Sequence, residues 1–287
     1  MTQLAPVRAT FSSDGIMFRF VQKVFCIVVF AALCGFKPYG VPETAAFTVP
    51  QRYVAGADGR YVNYRIYVPD IPDTATNGVP LVLFLHGSGE CGTNNVSQLS
   101  NGVGGLVWWS RNRESAIVVA PQAPPGMVWS PVFFNELHAR MPYSAPPMVK
   151  LVKSLIDDIC ERYPVDTNRI LATGISLGAY GVWDMVSRYP GFFAAAIPVC
   201  GAGDPQKADA ASKTPLWIFH GEKDGNVPNR LDRLMVSRLW ELDAPVRYME
   251  YPDSGHGIWW RVYSDDSVMK WFFSRRLVRG SGDSIRR

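Results

Sequence analysis

The stretch that decides the fold is Gly174-Ile175-Ser176-Leu177-Gly178, which stands between an apolar run and a segment of helical pattern. The run 169–173 predicts a strand, and residues 179–189 predict a helix. A G-x-S-x-G sequence in this position is typical of a turn sharp enough to push a serine hydroxyl out of the backbone. A side chain at Gly174 or Gly178 would collide where strand and helix leave that turn. Because the chain has 25 glycines, a chance surface turn is the alternative, and the surrounding sequence must decide.

Apolar runs on both sides of the turn predict a mostly parallel, doubly wound α/β sheet. The strands are expected at 81–85, 116–120, 169–173, 193–199, 216–219 and 246–251. Helices are expected at 147–163, at 230–242 with Leu231, Leu234, Met235, Arg238 and Leu239 on one face, and from a cap at Ser264 to Arg275. The alternating segment 61–68 follows a turn after 52–54, which predicts an antiparallel hairpin at the N-terminal edge.

Glycine-rich backbone follows the first predicted parallel strand, in His86-Gly87-Ser88-Gly89-Glu90. Such backbone can direct N–H groups toward a site at the carboxyl ends of the strands. Acyl-transfer chemistry needs donors of this kind to stabilise a developing oxyanion. We expect them to be the N–H groups of Ser88 and of Leu177, the residue after the serine.

An acid and a histidine follow two later strands. Asp224 comes shortly after the strand at 216–219, where a carboxylate could orient a histidine ring. Asp204 follows the preceding strand at a similar distance and is its strongest rival, and Asp253 is a further candidate. His256 stands between two glycines after the last strand, so that Ser176, Asp224 and His256 occur in the chain order Ser, Asp, His. His86 and His220 end strands and are expected to serve structure.

Together these motifs resemble the α/β-hydrolase superfamily from about Tyr61 to Phe273. The chain is most similar to single-domain bacterial predicted peptidases and to relatives of polyhydroxybutyrate depolymerase, feruloyl esterase and dienelactone hydrolase. The motifs that carry the resemblance are His86 to Glu90, Ala120-Pro121-Gln122, Asp166 to Ile170, Gly174 to Gly178, His220-Gly221 with Asp224, Val227-Pro228 and Gly255-His256. The resemblance implies Ser176 as nucleophile, Asp224 as orienting acid and His256 as general base. One departure is Cys91, where such relatives commonly carry arginine.

The first 46 residues differ from the rest and predict a signal peptide and leader. Arg19 and Lys23 precede the uncharged apolar run 24–36, and the small residues 44–46 could allow cleavage before Phe47. The run is short for a membrane-spanning helix, so export to the periplasm or outside is expected; an anchor at residues 17–36 is the alternative. Residues 47–277 are expected to form the catalytic domain and residues 278–287 a polar tail.

Composition excludes several classes of function. The net charge is only +4 and the basic residues are scattered, which argues against a nucleic-acid partner. Without the leader three cysteines remain, Cys91, Cys160 and Cys200; one disulfide is possible, and the sequence does not select a pair. The spacing of the four histidines and the cysteines does not favour a metal site.

The predicted pocket is open and lined by aromatic residues. The segment between the strands at 193–199 and 216–219 is too short for a lid domain. Trp129, Trp259 and Trp260 lie in loops near the predicted site and could hold a phenolic acyl group or a sugar face, or could simply pack those loops. The sequence thus predicts a cofactor-independent serine hydrolase of small or polymer-derived carboxylic esters. A peptidase of the same fold and a catalytically silent binding module are the alternatives, and the oligomeric state is undetermined.

Overall fold

The computed structural model describes residues 46–47, 50–55, 59–71, 73, 75–134 and 139–277. Within these ranges the strands are β1 Gln51–Ala55, β2 Arg60–Tyr67, β3 Val79–Leu85, β4 Ile117–Gln122, β5 Phe133–Phe134, β6 Ala139–Arg140, β7 Val165–Ile175, β8 Ala195–Val199, β9 Leu216–Gly221 and β10 Val246–Tyr251. The α-helices are α1 Val103–Asn112, α2 Pro147–Arg162, α3 Leu177–Arg188, α4 Ala208–Ala211, α5 Asn229–Glu241, α6 Trp259–Ser264 and α7 Asp266–Phe273.

Eight strands form one mixed sheet in the order β1-β2-β4-β3-β7-β8-β9-β10. β1 pairs antiparallel with β2, and β2 pairs antiparallel with β4. All pairs from β4 to β10 are parallel. The predicted parallel sheet with an antiparallel edge hairpin is therefore confirmed. Its parallel strands all end at one edge, where β3, β7, β9 and β10 lead into the predicted motifs.

Helices cover both faces of the sheet, as the side chains of β3, which point alternately to one face and the other, show. Leu81, Leu83 and Leu85 pack with α2, α3 and α5 on one face, whereas Val82 and Phe84 pack with α1, α6 and α7 on the other. All five side chains are at most 1% exposed. Burial on both faces explains why β3 is a continuous apolar run rather than an alternating one.

Two details of the predicted helices are wrong. α7 is capped by Asp265, whose carboxylate accepts hydrogen bonds from the N–H groups of Ser267 and Val268, and not by Ser264, which ends α6. A carboxylate at this position also interacts favourably with the helix dipole. On α5 the buried face holds Leu231, Asp232, Met235, Val236 and Leu239, whereas the predicted face members Leu234 and Arg238 are exposed. The buried face of α5 is therefore rotated relative to the predicted one and includes the acidic residue Asp232.

The segment between β8 and β9 holds only a short 3-10 turn and the four-residue helix α4. No lid domain is present in the described part of the chain. Nor does any described helix have the length and hydropathy needed to cross a membrane. The predicted leader, apart from Ala46, and the predicted tail at 278–287 lie outside the described residues.

Candidate active site

Ser176 occupies the sharp turn between β7 and α3. Its backbone has φ +51° and ψ −117°, in the left-handed range of φ that a residue with a side chain adopts only at a cost. A Cβ atom at Gly178 would lie 1.9 Å from the Leu85 carbonyl oxygen, and one at Gly174 would lie 2.6 Å from the Gly178 carbonyl oxygen. The predicted collision between strand and helix is confirmed for Gly174, whereas Gly178 is required because the start of α3 lies against the end of the neighbouring strand β3.

A continuous chain of hydrogen bonds joins Ser176 to Asp224 through His256. The Ser176 Oγ lies 2.8 Å from the His256 Nε2, and the His256 Nδ1 lies 2.7 Å from the Asp224 Oδ2. The Asp224 side chain is fully buried, and that of His256 is 15% exposed. With Nδ1 donating its proton to the carboxylate, Nε2 is left to accept the serine proton. This is the arrangement of a nucleophile, a general base and an orienting acid.

Asp224 is held as a carboxylate by four donors. Its Oδ1 accepts hydrogen bonds from the N–H groups of Asn226 at 2.9 Å and Val227 at 3.0 Å. Its Oδ2 faces the rings of both His256 and His220. Burial acts to raise the pKa of Asp224, but these donors outweigh it and hold the pKa well below its ordinary value. Asp224 therefore remains ionised throughout the neutral range.

The rival acids lie elsewhere. The carboxylate of Asp204 accepts hydrogen bonds from the N–H groups of Gln206 and Met141, both at 3.0 Å, so that it caps a turn and holds the loop before α2. Asp253 is 81% exposed and pairs with Lys223 at the surface. Among the three candidates, Asp224 alone contacts the ring of His256.

The glycine-rich loop after β3 lies beside Ser176. A Cβ atom at Gly87 would lie 3.6 Å from the Cβ of Ser176, which brings the backbone that leads into Ser88 against the serine. Leu177 is the first residue of α3, a position whose N–H has no acceptor within the helix. The loop and the helix start thus approach Ser176 together, as the oxyanion prediction requires.

Sequence comparison matches part of this chain to known proteins. The profile of the Dienelactone hydrolase family matches residues 144–267, a segment that contains Ser176, Asp224 and His256. One curated relative is poly(3-hydroxyalkanoate) depolymerase C of Paucimonas lemoignei, which is 29% identical over 149 residues. Another is poly(3-hydroxyoctanoate) depolymerase of Pseudomonas fluorescens, which is 27% identical over 168 residues. These matches cover 51% and 54% of this chain but only 33% and 58% of the relatives, so the chain spans about a third of one and somewhat over half of the other.

A solved structure decides the architecture. The crystal structure of a thermostable esterase is similar to this chain with a TM-score of 0.73 and 34% sequence identity, and the match covers 81% of this chain and 64% of that one. The chain has the α/β-hydrolase fold. The resemblance drawn from the sequence motifs is confirmed at this level, and with it the absence of a lid domain among the described residues.

The three tryptophans predicted to line the pocket of this α/β-hydrolase fold have different environments. Trp129 is only 1% exposed, and its indole N–H donates to the His86 carbonyl oxygen at 3.0 Å. Trp129 is therefore buried against the loop after β3 and stabilises it. The prediction that Trp129 lines the pocket is wrong. Trp259 meets the ring of His256 edge to face, with ring centroids 5.8 Å apart, and Trp260 is 49% exposed. Trp259 therefore lies beside the site, whereas the pocket role of Trp260 stays a prediction.

His86 has the structural role expected of it. Its Nε2 accepts a hydrogen bond from the Ala123 N–H at 3.0 Å, so that its Nδ1 carries the proton and donates to the Gly87 carbonyl oxygen at 2.6 Å. Burial lowers the pKa of His86 to about 4, which keeps the ring neutral. The neutral ring links β3 to the loop after β4 and so fixes the backbone beside Ser176.

Sequence reasoning missed the contact between His220 and the site. The His220 Nε2 lies 3.2 Å from the Asp224 Oδ2, and its Nδ1 lies 2.8 Å from the Asp232 Oδ2. The signal available in the sequence was a charged residue, Asp232, within the apolar stripe of α5. Cys200 also lies here, and its thiol donates to the His256 carbonyl oxygen at 3.2 Å.

Cys200, His220 and Asp224 place three metal-ligand atoms within 4.8 Å of one another. Both nitrogens of His220 face oxygen atoms of the protein, so that the ring has no lone pair directed at a shared ion. Burial raises the pKa of the Cys200 thiol well above its ordinary value, which disfavours the thiolate that a metal requires. The chemistry of these three residues therefore favours hydrogen bonding around Asp224 over metal binding. The three described cysteines, Cys91, Cys160 and Cys200, are free thiols.

Proposed function

We propose that this protein is a serine hydrolase that cleaves carboxylic esters through an acyl-enzyme intermediate. The observation that carries the proposal is the hydrogen-bonded chain from Ser176 through His256 to the buried carboxylate of Asp224. A binding module would have no need of a nucleophile in a strained turn joined to a base and an ionised acid. The similarity to two depolymerases and an esterase supports esters as the substrate class.

The reaction follows from the roles of these groups. His256 Nε2 takes the proton of Ser176 Oγ as the oxygen forms a bond to the ester carbonyl carbon, and the oxyanion is stabilised by the N–H groups of Ser88 and Leu177. Collapse of this intermediate expels the alcohol, which receives its proton from His256. A water molecule, deprotonated by His256, then attacks the acyl carbon; the bond to Ser176 Oγ breaks, Ser176 takes its proton back from His256, and the acid is released. Protein groups and water supply every step, without a cofactor.

A fluorophosphonate probe tests the nucleophile. We expect the probe to label the wild type at Ser176, and we expect Ser176→Ala to abolish labelling and to lower turnover of p-nitrophenyl acetate by roughly 10⁴-fold or more. Ser212→Ala is the matched control, because Ser212 lies before β9 begins, at the opposite edge of the sheet from the site. A folded wild type that neither labels nor cleaves the ester would instead support a binding module.

A substrate screen tests the choice between esters and peptides. Acetyl, feruloyl and hydroxybutyrate esters are compared with short peptides at equal enzyme concentration. Because no lid domain is present in the described part of the chain, we expect turnover of at least one ester class, with peptides slower. Hydrolysis of peptides much faster than of all esters would assign the protein to the peptidases.

We also propose export, because basic residues, the apolar run 24–36 and small residues occur in the order of a signal peptide. N-terminal sequencing of secreted or periplasmic protein is expected to give a mature chain that begins near Phe47. A mature chain that begins before Val24 would contradict the proposal and favour an anchor.

A further inference from the structure

His220 is fully buried and contacts Asp224, the acid of the proposed triad. The residue is the fifth of the six in β9. One ring nitrogen, Nε2, lies 3.2 Å from the Asp224 Oδ2 and 3.0 Å from the Val227 carbonyl oxygen. The other, Nδ1, lies 2.8 Å from the Oδ2 of Asp232, a buried residue of α5. The ring thus bridges two aspartates, one of which holds His256.

The partners of His220 determine where its protons lie. The Val227 carbonyl oxygen and the ionised Asp224 carboxylate can only accept, so Nε2 must carry a proton. Nδ1 faces a carboxylate oxygen, and a charged donor there pairs with Asp232 in a site closed to water. Burial acts to lower the pKa of His220, but the two aspartates outweigh it and raise the pKa to about 10. Both arguments favour an imidazolium at neutral pH.

We propose that His220, as an imidazolium paired with Asp232, is a positioning residue for Asp224. The inference rests on the proposed function, in which Asp224 orients His256. Donors from His220 and His256 meet at the Asp224 Oδ2, while two backbone N–H groups hold its Oδ1, so that the carboxylate is fixed in one orientation. Without His220 the Oδ2 would be held by His256 alone, and the alignment of His256 with Ser176 would loosen.

The other ionisable groups near the pair do not titrate between pH 5 and 9. Burial raises the pKa values of Cys200, Tyr180 and Tyr248, so that these groups keep their protons. Pairing with Arg233 lowers the pKa of Glu250, which stays ionised. Burial also raises the pKa of Asp232, which pairing with His220 opposes, so the protonation at issue in this cluster is that of the His220–Asp232 pair.

The test compares the wild type with the double variant H220Q/D232N. Glutamine keeps a donor toward Val227 and Asp224 but removes the charge, and D232N avoids an unpaired carboxylate inside the protein. We expect kcat for p-nitrophenyl acetate to fall about tenfold with KM within about twofold, because Asp224 and the ring that it orients lose alignment. A merely structural role would lower stability and leave kcat of the folded enzyme unchanged.

Asp184→Asn is the matched control, because Asp184 is also a buried aspartate with a basic partner, Arg188, but does not contact the triad. It is expected to lower stability and leave kcat of the folded enzyme in place. A kcat equal to that of the wild type in a folded H220Q/D232N variant would overturn the inference, as would an equal loss in Asp184→Asn.

Nitrogen-15 NMR of wild-type protein labelled at histidine tests the charge directly and does not depend on a variant that folds. Both nitrogens of His220 are expected to show the signature of protonated nitrogen from pH 6 to pH 9, whereas His86 shows one protonated and one bare nitrogen. A neutral His220 at pH 7 would overturn the inference even if the ester is cleaved. Conversely, a charged His220 in a protein without hydrolase activity would leave the charge assignment standing and refute the proposed function.

Discussion

Substitution of Gly178 by alanine is the most direct test of how this fold holds its serine. A Cβ atom at Gly178 would lie 1.9 Å from the Leu85 carbonyl oxygen, 2.5 Å from its carbon and 2.8 Å from the His86 carbonyl oxygen. Ordinary contact begins at 3.4 Å, so roughly 1.5 Å of overlap must be absorbed by backbone that belongs to a central strand. No rotation of a side chain can relieve it.

The expected cost can be ranked against two other glycines. A methyl group forced into packed surroundings costs about 1–3 kcal/mol and occasionally more, so we expect about 3 kcal/mol or more for Gly178→Ala. Gly174→Ala meets the Gly178 carbonyl oxygen at 2.6 Å, a smaller overlap, and should cost about 1–3 kcal/mol. Gly225→Ala meets nothing within 4 Å, and its free energy of unfolding should change by no more than about 0.5 kcal/mol.

Urea unfolding measures this ranking. With a slope of about 1–3 kcal/mol per M, a loss of 3 kcal/mol lowers the midpoint of Gly178→Ala by about 1 M or more. Displacement of the turn also moves Ser176, so the rate of fluorophosphonate labelling at low temperature should fall about 100-fold in whatever fraction folds. A midpoint for Gly178→Ala equal to that of the wild type, or above that of Gly174→Ala, would refute the reasoning.

Three further predictions concern the acid, the aromatic residues and the buried histidine. Asp224→Asn should lower ester turnover by about 10⁴-fold, whereas Asp204→Asn should keep turnover within about threefold; the reverse result would reassign the acid. Trp129→Ala should lose about 3–5 kcal/mol in urea unfolding, whereas Trp260→Ala should lose less than about 1 kcal/mol and act, if at all, on KM. The pKa of His220 is raised to about 10 from an ordinary value of 6.5, so its stabilisation is complete below pH 6.5 and is lost as pH rises through 10. The difference in urea midpoint between wild type and H220Q/D232N should accordingly narrow from pH 6 to pH 10, and a constant difference would indicate a neutral ring.

The sequence predicted the sheet, Ser176 and His256 because all three depend on local patterns, and it favoured Asp224 over Asp204 without excluding the latter. Buried parallel strands read as apolar runs, and the carboxyl ends of such strands meet at one edge whatever the details of the loops. Ser176 could be identified because its turn admits only glycine at positions 174 and 178, and this steric requirement can be read from the sequence. His256 followed from its position after the last strand.

The features that were not predicted depend on the courses of loops and on the rotation of a helix, which the spacing of residues in the sequence does not encode. Asp204 and Asp224 stand at similar distances behind neighbouring strands, and only the course of each loop decides which carboxylate meets His256. Trp129 lies in a long loop whose fold toward β3 buries the ring. The pairing of His220 with Asp232 required α5 to turn that residue inward, a rotation of the helix that its mixed pattern of leucines did not specify.

The three members of the site are held to unequal degrees, and this bears on how the site would work. Asp224 is fixed by two backbone N–H groups and two rings, and Ser176 by a turn that allows almost no displacement. His256 stands between two exposed glycines, with its carbonyl oxygen held by the Cys200 thiol at 3.2 Å and the Ile258 N–H at 3.0 Å. The loop that carries His256 thus depends on contacts from outside it. In the proposed mechanism, the contacts of Cys200 and Trp259 with that loop help to align the His256 ring with Asp224 and Ser176.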